Sequence, residues 1–127
     1  MHRITLREVA HQRLACCNRC LDFIRGRIPV DRRTRQPYGV IHGGANVVLA
    51  ETLGSCGADY STPVGHRIVG LDINANHIRG VANGWVNGIA RPVHIGRSTH
   101  VWQIDMTDDQ GRTSSVSRLT LSVLAPR

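Results

Sequence analysis

The sequence predicts an α+β fold in which a curved antiparallel β-sheet wraps around one long central α-helix. Three observations lead there. The run from Ala45 to Ala58 has helical length and is apolar nearly all round, so it must be enclosed by protein rather than lie on a surface. Beyond Gly65 the apolar period changes to two, the alternation of strands with one covered face. No repeat, linker or low-complexity tract interrupts the 127 residues, and such a length supports one core but not two. A single domain spanning 1–127 is expected.

In chain order, residues 5–20 (TLREVAHQRLACCNRC) read as a short, mostly polar helix within an atypical N-terminal segment, 1–21. Ile24, Gly26, Ile28 and Val30 alternate with Arg25 and Arg27, a strand with one buried face. An Arg-rich loop, Asp31 to Tyr38, precedes the central helix, whose apolar residues are Ala45, Val47, Val48, Leu49, Ala50, Leu53 and Cys56. Then Val69, Leu71, Ile73 and Ala75 alternate with Gly70, Asp72, Asn74 and Asn76. Residues 84–91 are another candidate strand. Trp102, Ile104 and Met106 form the next, followed by an Asp108–Gly111 turn and a last strand through Leu119, Leu121 and Val123. Strands of this kind need one covered face and the helix needs cover on most sides, so each supplies what the other lacks.

Composition narrows the function. Hydrophobic residues make up 41% and mean hydropathy is −0.18, ordinary for a globular protein. No apolar run approaches the roughly 18 residues that span a bilayer. The start of the chain lacks a basic-then-apolar secretory layout. A cytoplasmic protein with no membrane partner is expected. Sixteen basic residues against nine acidic give a net charge of +7, and the basic residues are arginines. Guanidinium groups grip phosphate oxygens bidentately, which suits nucleic acid or a nucleotide-bearing small molecule such as coenzyme A. The chain has too few aromatics, 4%, for the stacking platforms of single-strand binders, so nucleic acid is not the expected partner. Cys17-x-x-Cys20 lacks two further zinc ligands at suitable spacing, Cys16 and Cys56 do not supply them, and the histidines form no HExxH pair. Neither metal nor other cofactor is expected.

The chemistry concentrates around the central helix. Gly39-x-x-His42-Gly43-Gly44 stands just ahead of it, where first-turn N–H groups lack intrahelical partners and carry positive partial charge. Glycine there lets a foreign carbonyl approach the backbone, making a candidate oxyanion site; a merely flexible helix entrance is the plainer reading. Glu51 is harder to explain structurally. Burying a carboxylate costs several kcal/mol unless compensated, and a core helix gains nothing from Glu that Leu would not supply, unless an Arg elsewhere pairs with it. Ser55 follows one turn later on the same face, as a site hydroxyl or a packing one. Gly43 and Glu51 are eight residues apart, about 12 Å along one helix, so they cannot both touch one carbonyl within one chain. Two antiparallel helices across a two-fold axis would bring them together, which predicts a homodimer with shared sites.

These residues sit in a longer pattern. The run PVDRRTRQPYGVIHGGANVVLAETLGS (29–55), with IVGLDINANHIR (68–79), PVHIGR (92–97), VWQID (101–105) and SRLTLSV (117–123), resembles the hotdog-fold acyl-CoA thioesterases over roughly residues 22–124. The branch it resembles is that of the bacterial 1,4-dihydroxy-2-naphthoyl-CoA thioesterases and their aryl-CoA relatives. The resemblance implies a hotdog fold, an acyl-CoA or aryl-CoA substrate, no separate cofactor, and a homotetramer built as a dimer of dimers. It also implies roles: Glu51 as nucleophile or general base, the Gly43 N–H polarising the thioester carbonyl, Gln36 assisting there, His42 orienting substrate and Ser55 positioning the carboxylate or water. CoA would be held by His77-Ile78-Arg79-Gly80 and His94-Ile95-Gly96-Arg97-Ser98-Thr99, near Gly70. The N-terminal stretch before Val30 is several residues shorter than in the family, and LACCNRC matches nothing in it.

A thioester is weakly resonance-stabilised, so its hydrolysis needs an activated oxygen and a stabilised oxyanion but no metal. Glu51 would add to the carbonyl, giving an acyl–enzyme anhydride, or deprotonate a water. Two rival functions exist. A hotdog dehydratase would need a His/Asp pair in place of the Glu-centred helix, and none sits correctly. A basic, non-catalytic nucleic-acid-binding module would leave Glu51 dispensable and bind with steep salt dependence.

Overall fold

The computed structural model describes residues 5–10, as backbone, and 22–127. Strands β1 (Thr5–Ala10) and β2 (Phe23–Pro29) are followed by helix α1 (Gly43–Tyr60), then by β3 (Arg67–His77), β4 (Trp85–Ile95), β5 (Thr99–Thr107) and β6 (Thr113–Leu124). All strand pairs are antiparallel, in one six-stranded sheet of order β1-β2-β4-β5-β6-β3. The helix lies across the inner face. This is the sheet wrapped on a helix that the sequence predicts.

The helix seats against the sheet because small residues stand where large ones arrive. A Cβ at Gly57 would come within 2.6 Å of the Trp102 ring, and one at Gly54 within 2.6 Å of Leu119. Trp102, Ile104, Met106, Leu119 and Leu121 from β5 and β6 meet Leu49, Ala50 and Leu53 from α1 in one core. Burying side chains of this size contributes about 1.5–3 kcal/mol each. Along β5 the inward residues are His100, Trp102, Ile104 and Met106, a strict period of two. Among the described residues no helix is long and apolar enough to cross a membrane.

Four sequence expectations are corrected here. Thr5–Ala10 is a strand, not the start of a helix, paired from Thr5↔Arg27 to Ala10↔Phe23. Without it β2 would expose a row of unpaired backbone groups, and that pairing outweighs the weak helical preference of a polar segment. The remainder of the expected helix, 11–20, including Cys16, Cys17 and Cys20, lies outside the described residues. Second, α1 is not enclosed all round. It buries Ala45, Asn46, Leu49, Ala50, Leu53, Gly54, Gly57 and Ala58, while Val48 on the other side is 47% exposed. Third, Glu51 lies on that exposed side and is not buried within the chain. Fourth, the inward face of β3 is not Val69, Leu71, Ile73 and Ala75. A bulge against β6 between Gly70 and Asp72 adds one residue to the strand. Ile68 and Ile73 pack on the core, while Val69 and Leu71 are 43% and 64% exposed.

The β5–β6 turn shows how local charge is used. Asp108 is only 5% exposed. It accepts hydrogen bonds from the Gln110 N–H (3.0 Å), the Arg112 N–H (2.9 Å) and the Arg112 Nε–H (2.7 Å). Burial alone would raise its carboxyl, but the Arg112 backbone and guanidinium and the Gln110 N–H outweigh burial and hold it below the ordinary value. A carboxyl lowered in the folded state stabilises above its unfolded pKa of about 4 and loses that contribution as pH falls through the folded value. Melting temperature is therefore expected to drop on acidification below about pH 4, and Asp108→Asn should melt lower at pH 7 with a flatter acid limb. Thermal melts of both proteins across that range check this. Parallel acid limbs would assign the loss to other carboxyls.

Candidate active site

The approach to α1 is a tight, self-bonded loop. The Thr34 hydroxyl donates to the Pro29 carbonyl (2.8 Å) and accepts from the Asp31 N–H (3.0 Å). Hydrogen bonding by the Arg33 side chain and N–H, then its charge, holds the Asp31 carboxyl at about 2. Arg35 and Ile41 bridge a small hairpin, closed by the Gln36 N–H on the Val40 carbonyl and by Gly39 at φ 84°. Its Gln36 carboxamide oxygen accepts from the Tyr38 N–H. The Arg35 guanidinium ties the hairpin to the Ala82 carbonyl, and the Ile41 N–H bonds the Val81 carbonyl. Gln36 is thus fixed on the loop that delivers the chain to the helix.

His42 caps that helix. Its backbone is extended (φ −67°, ψ 134°) and its Nδ1 accepts from the Gly44 N–H at 2.8 Å, the N-cap interaction usually made by a Ser or Asp oxygen. Among the described residues, no hydrogen bond engages the neighbouring Gly43 N–H. Side-chain space at Gly43 is filled by His77: a Cβ would lie 2.9 Å from its Nε2. His77 Nδ1 in turn faces the Asn46 carboxamide nitrogen at 3.3 Å.

β3 runs antiparallel to α1, so what lies along the helix has a counterpart on the strand. His77 lies over Gly43, and Gly70 lies over Glu51, whose Oε1 would be 2.9 Å from a Cβ at position 70. Gly70 leaves the room the carboxylate occupies. Ser55, half-buried, stands one turn beyond Glu51. Within one chain the expected groups therefore form two clusters. His42, Gly43 and His77 gather at the N-terminus of α1, with Gln36 on the hairpin that leads into it. Glu51, Ser55 and Gly70 lie farther along, about 12 Å from Gly43 by helical rise.

The two stretches expected to hold CoA are likewise apart. Ile78 and Arg79 donate their N–H groups to the Ser114 carbonyl, beside the N-terminus of α1. The His94–Thr99 turn is at the other end, where Ser98 accepts from the Val123 N–H and Gly96 packs on His94. There His100, buried and accepting from the Trp102 indole N–H at 3.3 Å, has its imidazole pKa lowered, by burial first and then by His94. A groove of 680 Å³ lies away from both clusters, on the outer face of the sheet, lined by Arg25, Arg27, Asn87, Ile89, Arg91, Asp105 and Thr107. It holds none of the candidate catalytic groups. Cys56 is disfavoured as a nucleophile, because burial, and then Asp59, push its thiol up.

Asn46 is the residue the sequence reading missed. It is 2% exposed, and its signal was its position: four residues before Ala50 and seven before Leu53, an amide on the face α1 turns to the sheet.

Residues 38–115, more than half of the chain, match the thioesterase superfamily. The chain belongs to that family. This thioesterase is 47% identical over 103 residues to the 1,4-dihydroxy-2-naphthoyl-CoA hydrolase of Escherichia coli, covering 81% of this chain and 76% of that one. It is 45% identical over 103 residues to the proofreading thioesterase EntH of Cronobacter sakazakii, covering 81% and 75%. Among solved structures, a thioesterase of Haemophilus influenzae superposes with a TM-score of 0.86 at 43% identity, covering 96% of this chain and 78% of that one. A thioesterase of Pseudomonas aeruginosa superposes with a TM-score of 0.86 at 39% identity, covering 95% and 81%. The hotdog architecture and thioester hydrolysis follow from these likenesses. So the thioesterase is an enzyme, and an acyl-CoA is the substrate class consistent with its relatives.

Proposed function

We propose that this thioesterase hydrolyses an aryl-CoA or medium-chain acyl-CoA, with 1,4-dihydroxy-2-naphthoyl-CoA as the leading candidate, at sites shared by two copies of the chain. The observation that carries the reading is the separation of Glu51 from Gly43, both on α1, beside a strand that has no partner on one side. β3 is one of the two sheet edges, and Val69, Leu71 and Val48 expose apolar surface there. An unpaired, apolar edge invites a second strand. Two β3 edges meeting across a two-fold axis would cover these side chains and set the helices antiparallel. The Gly43 cluster of one copy would then face the Glu51 cluster of the other. The same operation would bring His77–Gly80 of one copy toward His94–Thr99 of its partner. A dimer of dimers would complete the homotetramer.

In that site the Gly43 N–H and the Gln36 carboxamide donate to the thioester oxygen, lowering the energy of the developing oxyanion. Glu51 attacks the carbonyl carbon and expels CoA thiolate, leaving an anhydride that water cleaves. Alternatively it takes a proton from water held with Ser55, and the hydroxide attacks in its place. Both routes yield the free acid and CoA. His42 orients the acyl group. The likeness to the Escherichia coli hydrolase supports the naphthoyl substrate.

Free-thiol release measured across benzoyl-, dihydroxynaphthoyl- and straight-chain acyl-CoAs tests the reading. The aromatic thioesters should give the highest kcat/KM; release from none of the panel would reject it. Arg79 and Arg97, both exposed, are expected to contact CoA phosphates. Arg→Ala at either should raise KM by about tenfold, the loss of one charge-assisted contact, with kcat little changed. Added salt should raise the wild-type KM in the same sense. A KM indifferent to both changes would remove these residues from the CoA site.

A further inference from the structure

We propose that His77 is a second hydrogen-bond donor to the thioester carbonyl, held in its Nε2–H tautomer by the buried amide of Asn46. The inference rests on the reading that Gly43 marks the oxyanion position.

Asn46 is the starting point. It lies 2% exposed on the sheet side of α1, where its neighbours Ala45, Leu49 and Ala50 are apolar, and its Oδ1 is buried with no hydrogen-bond partner. An amide in such a place leaves part of its hydrogen-bonding capacity unused, a cost that an apolar residue would not incur. Among the described residues its side chain meets one polar partner, His77: Nδ2 faces Nδ1 at 3.3 Å. In this orientation of the amide its nitrogen, which only donates, faces Nδ1, which then accepts, and in a neutral imidazole the proton resides on Nε2.

Nε2 points at the helix entrance. It is the atom that a Cβ on Gly43 would meet, at 2.9 Å. The Nε2–H and the Gly43 N–H, the latter free of any hydrogen bond among the described residues, therefore border one small volume. His77 itself is exposed, so a substrate can reach the ring from the side away from Asn46. A carbonyl oxygen placed about 3 Å from the Gly43 nitrogen gains a second donor from a side chain whose orientation is already set. Gly43 is required by the same contact, since any side chain there would displace the ring. Asn46 touches no substrate and is a positioning residue; His77 is the catalytic one.

Two measurements decide this. The first is the 15N spectrum of histidine-labelled protein, with His77 assigned by its loss in His77→Gln. Protonated Nε2 and bare Nδ1 are expected in wild type, and a proton on Nδ1 overturns the proposal. The second is kinetic, on the best thioester of the panel. His77→Ala should lower kcat by about 100-fold, the loss of one oxyanion donor, with KM little changed. His77→Gln, which keeps an N–H, should retain more kcat than His77→Ala. Asn46→Asp should lower kcat similarly while moving the His77 proton to Nδ1, because a carboxylate accepts where the amide donates. If Asn46→Asp does not fold, the wild-type spectrum and the His77 variants still decide. A His77→Ala enzyme with raised KM and unchanged kcat would mean that His77 only binds CoA, and the proposal fails while the thioesterase reading stands. A wild type inert on the whole panel fails that reading, and the donor role with it.

Discussion

Glu51→Gln is expected to lower kcat by about 10³-fold while leaving the fold and KM nearly as they were. Glutamine matches glutamate in size but can neither attack a carbonyl nor accept a proton from water, and positioned base catalysis contributes about 10²–10⁴-fold. The fold should be indifferent for a structural reason. Glu51 is exposed on the free chain, and it fits against Gly70, where no side chain competes for its space. Free-thiol release and a thermal melt on the same sample separate the two effects. Turnover within a few-fold of wild type would sink the assignment of Glu51, and a lowered melting temperature would reveal a structural role instead.

The second large effect is a recovery. Chains carrying Glu51→Gln and chains carrying Gln36→Ala with Gly43→Pro should each be inactive alone and active when mixed. Proline removes the Gly43 N–H. Its ring atoms would also enter the space held by His77 Nε2, so the donor end is disabled twice. Each mixed dimer has one intact site and one doubly damaged one, so at most about half the wild-type activity per dimer is expected. Co-expression or joint refolding lets chains exchange, and Gly43→Ala replaces the proline variant should that one not fold. Verified heterodimers without recovery would place the whole reaction within one subunit.

Much of this was legible in the residues. The period of two through Trp102, Ile104 and Met106 reports burial on one face, and β5 follows it without exception. The apolar run of α1 was legible as a helix, but its surroundings were not. Apolarity says that Val48 tends away from water, not which molecule covers it, and in one chain it is nearly half exposed. Glu51 was picked out on the premise of burial, and the chain leaves it exposed. Its candidacy stands on its place beside Gly70, on a strand with one free edge. β1 is not legible locally because strand formation there depends on the edge of β2, a partner distant in sequence, from Ala10↔Phe23 to Thr5↔Arg27. Asn46 is not legible because an amide inside an apolar run looks like noise until its neighbour on β3, His77, is known.

The bulge in β3 has a consequence for how this protein can vary. Gly70 and His77 are separated by an odd number of steps, and in a regular strand they would look in opposite directions. The extra residue between Gly70 and Asp72 reverses the parity, so both look toward α1, one over Glu51 and the other over Gly43. The strand thus works as a counting device whose remainder matters more than its length. A lineage could exchange most outward side chains of β3 freely. Losing the single residue Leu71 would flip one end relative to the other, so that one of the two contacts with the helix would be lost whatever register the strand then chose.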